Sequence, residues 1–152
     1  MPHHASPQAA VRAYLGERPA GDPRWERLRE AGSWGDVRHT GRVARKAEKL
    51  LYCIDPEPGA CYRNAVDAAL NAPEDVRYVE GVAVPGEDGT PTEHAWVQVD
   101  GAVLELTWAE RADVPLPPED AAYYGVGVDR DRLRGLDRER GRGEPLLPAL
   151  AD

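Results

Sequence analysis

The stretch TEHAWVQVDGAVLELTW, Thr92–Trp108, alternates apolar and other side chains on both sides of an Asp-Gly pair. No other part of the chain so narrows what it can fold into. Period-two alternation belongs to a β-strand, whose successive side chains point to opposite faces. Asp-Gly suits a two-residue type I′ turn, because both central residues of that turn need positive φ. With Asp100-Gly101 as the turn, Val99 pairs with Ala102 and every later pair is fixed in steps of two. One face then carries Ala95, Val97, Val99, Ala102, Leu104, Leu106 and Trp108, and is expected to lie on the core. The other carries His94, Trp96, Gln98, Val103, Glu105 and Thr107. Glu105 falls opposite Trp96 and diagonal to His94, at the roughly 7–8 Å backbone separation that long side chains can span. A carboxylate touching an imidazole holds the ring in one tautomer and supports its charge.

The other segments place this hairpin in an α+β layout. Helices are expected over residues 8–15, 24–31, 41–52 and 60–71. Pro23 stands at a favourable first-turn position of the second. Val43, Ala47, Leu50 and Leu51 share a face of the third. Cys61, Ala65, Ala68 and Ala69 line one face of the fourth, which Pro73 ends. These are small side chains, so a neighbour packs closely against that face. A strand is expected over 76–84, closed by the turn-forming residues 85–91, and a last strand over 122–128, with a short helix starting at "DRDRL". The expected fold is therefore N-terminal helices and a helix opened by Cys61, packed on a small antiparallel sheet of three or four strands. A chain of 152 residues suits one domain. Its expected extent is 1–134, with a helical part over 1–55 and the Cys61 helix and sheet over 56–134. Residues 135–152, rich in charge, Gly and Pro, read as a tail that is mobile or docked on a protein partner.

Charge limits the partners. There are 27 acidic against 19 basic residues, a formal net charge of -8, so phosphate-rich surfaces repel this chain on average. Neither nucleic acid nor a membrane is an expected partner. No run approaches the roughly 18 apolar residues of a membrane span, and MPHHASPQAA lacks the basic-then-apolar order of a secretory leader. A cytoplasmic location is expected, with virion association as a variant of it. In that compartment Cys53 and Cys61 are thiols; after export they would be able to form a disulfide. A zinc site built from Cys53, Cys61, His94 and an acid is disfavoured by the cysteine spacing. The glycines of GVGVDRDR lack phosphate-loop spacing, Cys53 reads as a structural thiol, and His3 and His4 need no role.

Cys61 follows a Pro-Gly loop and falls in the first turn of its helix, where unpaired N–H groups and the helix dipole favour a thiolate. A histidine beside it makes an activated sulfur nucleophile, and the same N–H groups can receive an oxyanion. The order of these features resembles the transglutaminase-like branch of the papain-like cysteine superfamily: Cys61 opening a helix, His94-Ala95-Trp96 starting a strand, and the acid of Glu105-Leu106-Thr107-Trp108 after it. It is also similar to small phage and bacterial proteins with the pattern CYxNA, YVEG, HAW, DxTW. The resemblance spans about residues 58–108. It implies Cys61 as nucleophile, His94 as base and Glu105 as orienting acid, acting on a peptide or other amide or thioester acyl group with no metal or organic cofactor. The expected activity is a thiol-dependent acyl hydrolase (protease or amidase) or acyltransferase. Two residues depart from the pattern. The acid is Glu where Asp is usual, and the position that carries a glutamine in papain-type enzymes is Asp55. Asn64 and Tyr78 are candidate oxyanion donors, and Trp96 is a candidate wall of a substrate groove. The alternative is a catalytically silent papain-like binding or structural module, such as a virion or toxin-complex component. A third reading is a processing peptidase whose acidic surface selects a basic peptide.

Overall fold

The computed structural model describes residues 6–38, 40–72, 76–86, 89–108 and 115–150; His3, His4 and Pro73 lie outside them. The architecture is α+β. Four helices begin at side-chain caps. Ser6 accepts from the Ala9 N–H to open α1 (Pro7–Gly16), and Asp22 from Arg24 N–H to open α2 (Pro23–Ala31). Thr40 opens α3 (Gly41–Leu50), which follows β1 (Ser33–Trp34), and Asp129 opens α5 (Arg130–Arg140). By contrast, α4 (Cys61–Asn71) has Ala60 as its N-cap and no side-chain cap. Its buried face is Asn64, Ala65, Val66, Ala68 and Ala69, and Cys61 at its start is only half-buried.

The sheet contains β2 (Arg77–Val84), β3 (Thr92–Val99), β4 (Ala102–Leu104) and β5 (Ala122–Val128) besides β1, in the order β1-β5-β2-β3-β4, with antiparallel pairs throughout. The hairpin register is the expected one. Val99 pairs with Ala102, and Asp100 and Gly101 have φ of 52° and 82°. The two-residue β1 gave too short a signal to be anticipated.

This sheet curls until its two edges meet. Just after β1, the Gly35 N–H donates to the Tyr123 carbonyl on β5, while Asp36 N–H donates to Gly101 O and Val103 N–H to Asp36 O beside β4. Glycines on the inner face permit the tight curvature, Gly81 opposite Gly125 and Gly127 opposite Val79. The hairpin's two faces therefore both become cores. Ala95, Val97, Val99, Ala102 and Leu104 join the larger one under the helices. Val79, Ala83, Trp96, Val103, Ala121 and Tyr123 fill the smaller one inside the curl.

The segment from residue 135, expected to be a mobile or partner-docked tail, is folded onto the chain's own core over its described residues. Helix α5 continues to Arg140, and Leu146, Leu147 and Leu150 are buried, the last two within α6 (Leu147–Leu150), which packs on α2. The sequence conceals the anchor, Glu80 of β2. Its buried carboxylate accepts the Leu146 and Leu147 N–H groups at 2.7 and 2.8 Å and the Tyr78 hydroxyl at 2.5 Å. Arg142 adds ion pairs to Asp137 and to Asp67 of α4. Desolvation raises the pKa of Glu80 despite these donors.

Candidate active site

The ladder between β3 and β4 covers only Val97–Val99, so around His94 β3 pairs with β2 on one side and, among the described residues, with no strand on the other. Beyond Leu104 the chain leaves the strand, and the Glu105 N–H donates to Pro115 O instead of to β3. The Glu105 carboxylate then organises everything near it. Oε1 accepts from His94 Nε2–H at 2.8 Å and from the Tyr123 hydroxyl at 2.7 Å; Oε2 accepts from the Thr107 and Trp108 N–H groups at 2.8 and 3.0 Å. Glu105 itself is 0% exposed, whereas Thr107 and Trp108 are half-buried. Burial alone would raise its pKa, but the bonds and charge of His94 and the two amides outweigh that, and the pKa is lowered.

His94 is 1% exposed, and Cys61 lies beside it, close enough for its sulfur to support the charge of the ring. With Nε2 held by Glu105, Nδ1 is the ring nitrogen left for the sulfur. Burial opposes the charged ring, yet Cys61 and Glu105 prevail and raise its pKa from 6.5 to about 8. Trp108 lies flat on the imidazole, with ring centroids 3.6 Å apart and planes inclined by 8°. Trp108 was expected in the main core. It sits over His94 because β4 ends at Leu104 and the turn pinned by Glu105 cancels the alternation that put it there.

The structure thus brings Cys61, His94 and Glu105 together, and it gives the other candidates internal work. Asn64 accepts the Glu57 N–H and donates to Glu57 O and to Thr107 Oγ1, so both its amide hydrogens are used. It ties the loop before α4 to the turn after β4. The Tyr78 hydroxyl is taken by Glu80. Trp96 is 0% exposed, fills the inner core and donates from Nε1 to Gln98 Oε1 at 3.0 Å, so it walls no groove. Among the described residues, the donors left beside Cys61 are the uncapped N–H groups of the first turn of α4. Tyr62, half-buried and next to the nucleophile, was not singled out by sequence. Its pKa is pushed up by burial and by Glu80, so its hydroxyl stays protonated. Tyr123 was likewise missed, since nothing in YYGVGV marks a partner for Glu105. Cys53 is a free thiol whose sulfur lies 3.9 Å from Lys49 O. Among the described residues no group of three His, Cys, Asp or Glu side chains could hold a metal, and no helix is long and apolar enough to cross a membrane.

The raised histidine pKa has a consequence for stability. A group whose folded pKa exceeds its unfolded value stabilises fully below the unfolded value and loses that contribution as pH rises through the folded one. For His94 the window is 6.5 to about 8, worth about 2 kcal/mol at about 1.36 kcal/mol per pK unit. Urea unfolding between about pH 6 and pH 9 should show stability falling by that order, and His94→Gln should flatten the fall. An equal fall in the variant would contradict the assignment.

No protein-family model, curated protein or solved structure matches this chain.

Proposed function

We propose that this protein is a thiol-dependent acyl hydrolase or acyltransferase with a papain-like, transglutaminase-like core, in which Cys61 is the nucleophile. The reading is carried by one observation: His94 is held between a four-bonded buried carboxylate and a cysteine at an uncapped helix start. With its pKa near 8, His94 is largely imidazolium at neutral pH.

In the proposed reaction the Cys61 thiolate attacks an acyl carbon and the carbonyl oxygen becomes an oxyanion facing the α4 N–H groups. His94 donates its Nδ1 proton to the departing amine or thiol, and the carbonyl re-forms as a Cys61 thioester. Water resolves that thioester in a hydrolase and an amine does so in a transferase, with neutral His94 as base. Glu105 keeps Nε2 protonated and the ring oriented throughout.

The test is an acyl trap. Brief exposure to a p-nitrophenyl acyl ester, followed by acid quench and peptide mapping, should place the acyl group on Cys61 and not on Cys53, and His94→Ala should lose the adduct. Equal labelling of both cysteines would refute the proposal. It would support the silent binding module, which is favoured by the commitment of Asn64 and Tyr78 to internal bonds.

A further inference from the structure

The curled sheet has two ends. His94, Tyr123 and Glu105 occupy one of them. Along β3, His94, Trp96 and Gln98 point successively into the curl, and Gln98 pairs with Arg77 across β2. The far end is therefore lined by Gln98, Arg77 and the inner faces of Gly125 and Gly127, closed over by Ser33 of β1 and Arg27 of α2 around a cavity of about 290 Å³. That volume is near the lower bound of small-molecule sites.

We propose that this cavity binds a small oxyanion, a phosphate or carboxylate group, between the Arg27 and Arg77 guanidinium groups. Three observations converge on it. The chain carries net charge -8, yet neither arginine pairs with a carboxylate among the described residues. Two arginines without a carboxylate partner line this one polar cavity, and their like charges repel until an anion enters. The Nε of Arg27 is buried and has no hydrogen-bond partner among the described residues, so no internal acceptor there meets its charge. Finally, the shape is built for close approach. The Arg77 guanidinium lies over Gly127, where a β-carbon would meet its Cζ at 2.9 Å, so glycine is what lets the cation reach inward.

The neighbouring groups match the same chemistry. Gln98 Oε1 is occupied by the Trp96 indole N–H, which leaves its amide NH₂ to donate. Ser33 adds a hydroxyl. With two guanidiniums, an amide and a hydroxyl, every group offered is a donor. Guanidinium forks bind two oxygens of one group at once, so a phosphate or carboxylate fits better than a halide. Trp96 spans the curl from Gln98 to within 6.1 Å of the His94 ring, centroid to centroid. The anion site does not depend on the reading of Cys61.

The test is calorimetric titration of the full chain with inorganic phosphate, phenyl phosphate and propionate, at constant ionic strength set by chloride so that surface screening does not vary. Wild type should bind at least one of the three saturably. Arg77→Gln, at an exposed position, and Arg27→Gln should each weaken binding about tenfold or more, while Arg38→Gln, outside the cavity, should not. Binding of the phosphates alone assigns a tetrahedral group and of propionate alone a carboxylate. No saturable binding by any of them, or equal affinity in Arg77→Gln and wild type, overturns the proposal.

Discussion

Glu105→Ala should cost about 3–5 kcal/mol of folding free energy, the scale seen when one partner of a buried charged pair is removed. Four donors converge on that carboxylate, and the substitution orphans all of them at once: His94 Nε2–H, the Tyr123 hydroxyl and the Thr107 and Trp108 amides. Water has no ready access to the His94 and Tyr123 donors, since Glu105 and Tyr123 are 0% and His94 1% exposed. Glu105→Gln is a sharper version of the test. It keeps the shape but turns one oxygen into an NH₂ group, which must face either the ring N–H and hydroxyl or the two amides. A loss of about 2–3 kcal/mol is expected even from this isosteric change. In both variants the His94 pKa should drop, because burial remains while the carboxylate's support is gone. Equilibrium urea unfolding measures the first effect and imidazole proton NMR the second. A cost under about 1 kcal/mol for Glu105→Ala would mean that the carboxylate does not hold the site together.

Gly81→Ala should be comparably severe, at about 3 kcal/mol or more. Gly81 lies between His94 on β3 and Gly125 on β5. A β-carbon there would collide with backbone: the Tyr124 carbonyl oxygen and carbon, and the Gly125 Cα at 2.6 Å. A side chain would rotate away, whereas backbone in a paired ladder must separate, and separation uncurls the sheet that places His94 opposite Cys61. Gly135→Ala in α5 supplies the internal control. Nothing lies within 4 Å of its β-carbon position, so alanine should stabilise that helix by roughly 0.5–1 kcal/mol. The two substitutions should shift the urea midpoint in opposite directions.

Much of this was legible in the sequence because it was local. Asp100-Gly101 fixed the register from Val97 to Leu104, and a Pro-Gly loop before Cys61 announced a helix start. The expected pairing of Glu105 across from Trp96 does not form, because the strand ends at Leu104, and the Glu105 side chain reaches His94 from the turn beyond it. What escaped notice depended on partners distant in the chain. Period-two counting was carried past Leu104 to Trp108, but it holds only while the ladder continues, and the Glu105 turn breaks it. Trp96 reads as a solvent-facing residue on a flat hairpin and is buried only because the sheet curls onto residues 35–36. The C-terminal leucines look like part of a charged tail until Glu80, dozens of residues earlier, supplies acceptors for their amides. Asn64 resembles a free donor next to the nucleophile, and its real partners are Glu57 and Thr107.

The central claim is that His94 activates Cys61, and the most direct measurement is the rate of iodoacetamide alkylation at each cysteine, resolved by peptide mass mapping across pH in wild type and His94→Ala. Cys53 is the internal standard, half-buried like Cys61 but with a backbone carbonyl as its only hydrogen-bond partner among the described residues. The account predicts that near pH 7 Cys61 reacts at least about tenfold faster than Cys53, and that His94→Ala brings the two rates together. Equal rates in wild type, or a Cys61 advantage that survives the loss of His94, would contradict it.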